Sequence, residues 1–177
     1  KPALAALVVV GLILHKVLQM TQLFYQRKLI WLNGWAVRFK WLQMEIEVHK
    51  YGGYSVATVD KIINIAKHTI AYQVENSVRV VLVLSAMGDT TDRLQNMAQG
   101  ISARPNLAAL DNLLATGEAV SCSLMSLALA DLGEAAEMVV GAKARIETNN
   151  WFGHAAIDRV EVAYLSKLLA DGIIPVV

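Results

Sequence analysis

"VRVVLVLSAMGDTTD", residues 78–92, is the stretch on which the reading of the fold turns. Its first seven residues are apolar apart from Arg79 and rich in valine. A half-buried strand alternates polar and apolar residues, whereas a continuous β-branched run suits a parallel strand covered on both faces. The run stops at Ser85. A loop of small residues follows, and Asp89 or Thr90 is placed to cap a helix running through Met97. Strand, short loop and helix make the first half of a β-α-β unit. The fold class expected is therefore α/β with a mainly parallel sheet.

The same alternation continues on both sides. Upstream, "EIEVH" (45–49) is a short strand, and from Val59 the apolar positions Val59, Ile62, Ile63, Ala66, Ile70 and Val74 recur at helical spacing. Downstream, Pro105 opens a helical stretch predicted to run through Leu114. "GEAVSCSLMSLALADLG" (117–133) reads as a further helix closed by Gly133. "AAEMVVG" (135–141) is predicted as a strand and 145–158 as irregular or short-stranded. "DRVEVAYLSKLLADG" (158–172) is predicted as a helix closed by Gly172, and "IIPVV" (173–177) as a last strand.

Composition divides the chain. Its 177 residues suffice for one α/β domain or part of a larger one. The 55% apolar content exceeds the roughly 45–50% of ordinary soluble domains. A single cysteine, Cys122, excludes an intramolecular disulfide and makes a reducing compartment the default. The four histidines lie far apart, with no Cys/His set at metal-ligand spacing. Residues 1–43 carry six basic side chains, no acidic one and three of the four tryptophans; from Met44 onward ten basic side chains face fifteen acidic ones. Two segments follow: a hydrophobic, basic extension (1–43) and a domain (44–177), whose acidic excess disfavours nucleic acid as a partner. Within the extension, residues 2–14 form thirteen uncharged residues, short of the roughly 18–20 of a spanning helix. The basic and aromatic mixture after it suits a membrane surface. Three readings stay open for the extension: no role in the domain, membrane contact, or a targeting signal.

In parallel sheets, ligands bind beyond the carboxyl ends of the strands. "KYGGYS" (50–55) and "SAMGDTTD" (85–92) each follow a strand and precede a helix, so both are expected on one edge. Adjacent Gly52 and Gly53 let the backbone approach an anion closely, and Lys50 adds a positive charge. The pattern is neither the G-x-x-x-x-G-K-[ST] phosphate loop nor the dinucleotide fingerprint. Taken alone, a plain turn explains it equally well.

Read as a set, "VHKYGGYSVATVDKI" (48–62), "VVLVLSAMGDTTDRL" (80–94) and "LDNLLATGEAVSCSLMSLAL" (110–129) resemble the successive motifs of aspartokinases, in that order. "ARIETNNWFGHAAI" (144–157) and "LLADGIIPVV" (168–177) resemble later parts of the same domain. The resemblance runs from about Met44 to Val177. It implies the amino acid kinase fold, an αβα sandwich, and ATP- and Mg2+-dependent phosphorylation of the aspartate side-chain carboxylate, the first step toward lysine, threonine and methionine. It implies a cytoplasmic homo-oligomer whose partners are aspartate and ATP. Carried over by position, Lys50 matches the lysine at the transferring phosphoryl, and Gly52, Gly53 and Ser55 match the phosphate-side loop. Ser85 and Thr91 match hydroxyls lining the aspartate and phosphoryl site, and Glu118 matches the acid that receives the α-amino group. No side chain is assigned to a metal.

Departures accompany the match. Tyr54 stands where the family usually has threonine or serine, and Lys143 and Arg145 stand where it often has glutamine and glycine. The chain is expected to be truncated at its C-terminus, before the later arginine- and glycine-rich substrate motif and the nucleotide-binding half, and to lack ATP binding alone. The alternative from another class is a non-catalytic, membrane-associated protein in which residues 1–43 anchor a degenerate kinase-like fragment. Cys122 is expected in the core, Trp151 and Phe152 as a packing pair, and His49 and His154 without partners.

Overall fold

A computed structural model describes residues 45–177 and, before them, a two-residue antiparallel pair, β1 (Trp31–Leu32) with β2 (Trp35–Ala36). Apart from that pair, the readings offered for residues 1–43 fall outside the described residues. The domain then runs β3 (Glu45–Tyr51), α1 (Val59–Asn76), β4 (Val78–Leu84), α2 (Thr90–Ile101), α3 (Leu107–Asp131), β5 (Ala136–Met138), a 3-10 turn (Gly141–Ala144), β6 (Ile146–Thr148), β7 (Ile157–Val160), α4 (Ala163–Ala170) and β8 (Ile174–Val176).

Strands β3, β4, β8 and β5, in that order, form an all-parallel sheet, while β6 and β7 make an antiparallel hairpin. Strand β4 is buried at every position except half-buried Arg79, as its continuous apolar run requires. Its even-numbered residues Val78, Val80, Leu82 and Leu84 pack with Ile62 and Ala66 of α1 and with Cys122, Met125 and Leu129 of α3. On the opposite face Ile46 and Val48 of β3 join Val139, Val160, Leu165 and Leu168 in a second core under α4 and the hairpin. The register explains the split, because Val48 pairs with Val81 while Glu47 pairs with Val80, and successive residues point to opposite faces. Helices therefore cover both faces, and the αβα sandwich is realised.

Local chemistry sets the helix ends. The Thr58 hydroxyl accepts from Lys61 N–H at 3.3 Å to open α1, and the Asn106 side chain accepts from Ala109 N–H at 3.0 Å to open α3. Four elements differ from expectation. The two helical stretches around Leu114 and Gly117 are one helix of 25 residues, α3. An interior glycine costs about 1 kcal/mol against alanine, which a long, well-packed helix tolerates. Helix α2 runs on to Ile101, and Asp89, at its N-cap position, makes no side-chain cap bond. The strand expected over 135–141 is only three residues long, the rest passing into the 3-10 turn. The helix expected over 158–172 begins at Ala163, because the stretch before it pairs as β7 with β6.

Candidate active site

The parallel pairing of β3 with β4 places the "KYGGYS" and "SAMGDTTD" loops on the same edge of the sheet. The backbone stitches them together. Ser85 N–H donates to the Tyr51 carbonyl at 3.1 Å, and Gly88 N–H donates to the Gly53 carbonyl at 3.0 Å. Ser55 N–H donates to the Gly52 carbonyl at 2.8 Å, closing the first loop into a tight turn. That N–H is thereby engaged, and what Ser55 still offers a ligand is its exposed hydroxyl.

The two glycines of the turn differ. A Cβ on Gly53 would lie 2.8 Å from the Ala86 carbonyl oxygen and 3.1 Å from that of Gly88, so a side chain there would force the loops apart. A Cβ on Gly52 would meet only the Lys50 ammonium, at 3.7 Å. Gly88 holds a positive φ of 53°, where glycine carries no steric cost. Lys50 is exposed at the end of β3 and has no ion-pair partner among the described residues. Its ammonium beside Gly52 is available to an anion.

Helix α3 closes the arrangement from below. Gly117 is buried, and a Cβ on it would sit 2.8 Å from the Ala86 Cβ and 3.4 Å from the Thr90 methyl. At the next residue, Glu118 Oε1 accepts a hydrogen bond from Ala86 N–H at 3.2 Å. Glu118 is not a first-turn glutamate favoured by the helix dipole, because it is the twelfth residue of α3. Its carboxylate reaches the loop because Gly117 lets the helix come so close. The structure thus brings Gly52, Gly53, Ser85 and Glu118 around Ala86 and Gly88, with Lys50 at the margin. Half-buried Thr91 follows Thr90 in the first turn of α2. Ala86, Gly88 and Gly117 escaped the sequence reading; the clue was the run of small residues in each motif.

Other expectations divide. Tyr54 is 85% exposed, and its ring lies against the Lys61 ammonium, 3.7 Å from the centroid. Trp151 and Phe152 are not a buried packing pair: both are exposed at the tip of the β6–β7 hairpin. The tip is tied to α3 where Gly153 N–H donates to Asp111 Oδ2 at 2.8 Å. His49 has a partner, Glu47, at 2.9 Å, with Tyr72 donating to the same carboxylate at 3.1 Å. The His49 bond is the main cause holding the Glu47 carboxyl below its ordinary value. Cys122 lies in the core, as expected, its thiol pushed up to about 12 by burial and by the nearby Glu118 carboxylate. Among the described residues no group of three or more His, Cys, Asp or Glu side chains could hold a metal ion.

A profile of the amino acid kinase family matches residues 45–177. The aspartokinase of Bacillus sp. (strain MGA3) is 42% identical over 134 residues, which is 76% of this chain and 32% of that protein. Aspartokinase 2 of Bacillus subtilis (strain 168) is 41% identical over the same length. Among solved structures, the aspartate kinase from Synechocystis aligns with a TM-score of 0.59 and 36% identity, over 75% of this chain and 21% of its own. The chain spans about a third of the length of the curated relatives it matches. With its parallel αβα sheet and its family profile in agreement, this chain belongs to the amino acid kinase family, and its relatives there are aspartokinases.

Proposed function

We propose that this chain forms the aspartate-side part of an ATP-dependent aspartate kinase, which makes aspartyl phosphate on the way to lysine, threonine and methionine. The observation that carries the reading is the meeting of Glu118, the Ser85–Ala86 backbone and the Gly52–Gly53 turn on the ligand-binding edge of the sheet. Support for the substrate class comes from the relatives, aspartokinases at 41 and 42% identity. An E. coli aspartokinase III structure of the same fold is described in complex with aspartate and ADP.

In this reading one Glu118 oxygen positions the loop and the other receives the α-ammonium of aspartate. The substrate's side-chain carboxylate attacks the γ-phosphorus; an O–P bond forms, the bond to the β-bridging oxygen breaks, and ADP leaves. Such transfers need positioning and charge neutralisation more than covalent help. Lys50 would offset the charge on the transferring group, while Gly52, Gly53 and the Ser55 hydroxyl face the phosphates. The Ser85 and Thr91 hydroxyls would line the acceptor. Mg2+ would supply further charge neutralisation on the phosphates.

The test uses a chain extended to the length of its relatives, with hydroxylamine trapping the acyl phosphate. Turnover should require both aspartate and ATP. Glu118→Gln should chiefly raise the KM for aspartate, and Lys50→Ala should chiefly lower kcat. A Lys50→Ala enzyme whose kcat stays within about twofold of the parent would reduce "KYGG" to a turn.

A further inference from the structure

We propose that Lys61 is a positioning residue for the Gly52–Ser55 turn, and that Tyr54 is the residue that holds it there. This rests on the aspartate kinase reading, in which the turn faces the phosphates of the nucleotide. Three carbonyls of the turn are engaged. That of Gly52 accepts from Ser55 N–H at 2.8 Å and from Val56 N–H at 3.3 Å, and that of Gly53 accepts from Gly88 N–H at 3.0 Å. The third, that of Tyr54, accepts from the Lys61 ammonium at 2.8 Å. The N–H groups of Gly53 and Tyr54, by contrast, make no backbone hydrogen bond among the described residues. A turn with its acceptors tied back and successive donors left over suits an anion.

The start of α1 puts Lys61 within reach. It is the third residue of that helix, and its N–H is fixed by the Thr58 hydroxyl at 3.3 Å. From there the side chain runs back to Tyr54, where the ammonium also lies 3.7 Å from the centroid of the ring. One cation is thus held by a carbonyl and by an aromatic face. It forms no ion pair among the described residues. Lys50 reaches Gly52 and Lys61 reaches Tyr54, so the turn carries a cation at each end, with no acidic residue in the chain between Glu47 and Asp60. The Tyr54 ring is 85% exposed, so packing does not require it. The threonine or serine usual at this position would offer the carbonyl without the ring.

The peptide between Tyr54 and Ser55 is the part that Lys61 controls. Its carbonyl is bonded to Lys61 and its N–H to the Gly52 carbonyl, so a single rigid plane is pinned at both ends. Without the ammonium that plane is free to rotate, and the Ser55 bond and the neighbouring amides loosen with it. The effect belongs to the phosphate side. Glu118, which would receive the ammonium of aspartate, is bonded to Ala86 in the other loop.

Kinetics of the extended chain and amide exchange in the 177-residue chain test this. Lys61→Met should raise the KM for ATP about five- to tenfold and leave the KM for aspartate within about twofold. Lys61→Arg, which keeps the charge and the aromatic contact, should recover most of the loss. Tyr54→Phe should match the parent, whereas Tyr54→Thr should raise the KM for ATP about two- to threefold. In the 177-residue chain, Ser55 N–H should exchange about tenfold faster in Lys61→Met, with circular dichroism unchanged. Equal rises in both KM values, a Lys61→Arg enzyme as impaired as Lys61→Met, or unchanged Ser55 exchange would overturn the role of Lys61. A Tyr54→Thr enzyme equal to the parent would overturn that of Tyr54. An extended chain with no aspartate-dependent use of ATP would overturn the kinase reading instead, and Ser55 exchange would then decide the role of Lys61 by itself.

Discussion

Gly117 and Gly100 are both helical glycines, and their surroundings are opposite. A Cβ on Gly117 meets Ala86 at 2.8 Å, whereas one on Gly100 meets nothing within 4 Å. Alanine gains about 1 kcal/mol of helix propensity at either position, but overpacking costs about 1–3 kcal/mol where there is no room. Gly100→Ala should therefore stabilise the fold by about 0.5–1 kcal/mol. Gly117→Ala should destabilise it by about 1 kcal/mol net and disturb the bond between Glu118 and Ala86. Urea midpoints of the two variants check both signs. Arg145 shows the converse case. It holds a φ of 51°, a conformation that costs side-chain-bearing residues about 1–2 kcal/mol, and its contact with Glu161 is a loose 3.8 Å at an exposed site. Arg145→Gly should be neutral to stabilising by up to about 1 kcal/mol in the same assay. A loss of stability there would mean that the ion pair outweighs the strain.

Glu137 on β5 joins three elements. It accepts from Lys143 Nζ of the 3-10 turn at 2.7 Å and from the Tyr164 hydroxyl of α4. The Lys143 bond first, then the Tyr164 bond, hold its carboxyl below the ordinary 4.5. A carboxyl depressed in the folded state contributes stability that is full above its unfolded value and lost as pH falls through the folded one. Unfolding free energies measured from pH 7 down to 3 should therefore decline below about pH 4.5. Glu137→Gln should be less stable at pH 7 and should show a flatter acid limb. An identical acid limb in the variant would place the titration elsewhere. The same pairing gives the Lys143 ammonium a partner in Glu137.

Access to Cys122 reports on the whole domain. The thiol is fully buried between α3 and the sheet and is pushed up to about 12, so at neutral pH it is neither exposed nor a thiolate. An aromatic disulfide reagent should react with it only on unfolding, at a rate that rises in step with global loss of circular dichroism in urea. Rapid labelling of the native protein would show that α3 opens locally. Among the described residues the sheet has edges at β3 and β5, and inward-facing charge on an edge strand discourages further pairing. Glu47 supplies that charge on β3, held by His49 and Tyr72, which its sequence position alone did not reveal.

Period and punctuation were enough for the α/β class with its mainly parallel sheet, and for β4. A seven-residue apolar run has few other places to go, and strand, loop and helix repeat along the chain. The same reasoning put Lys50, Gly52, Gly53 and Ser85 on one edge, because parallel strands emerge on the same side. It failed at Gly117, where a glycine after a threonine looked like a boundary and is an interior contact. Its meaning depends on Ala86, thirty-one positions away. It failed again at 158–162, since a stretch with helical neighbours is a strand only if a partner such as β6 lies beside it. The distance from Glu118 to the Ala86 amide and the room denied to a Cβ on Gly53 are relations between segments remote in the chain. Hydrophobic pattern specifies which face of each element is buried; close packing against the neighbours specifies how near two elements come, and that nearness made the site.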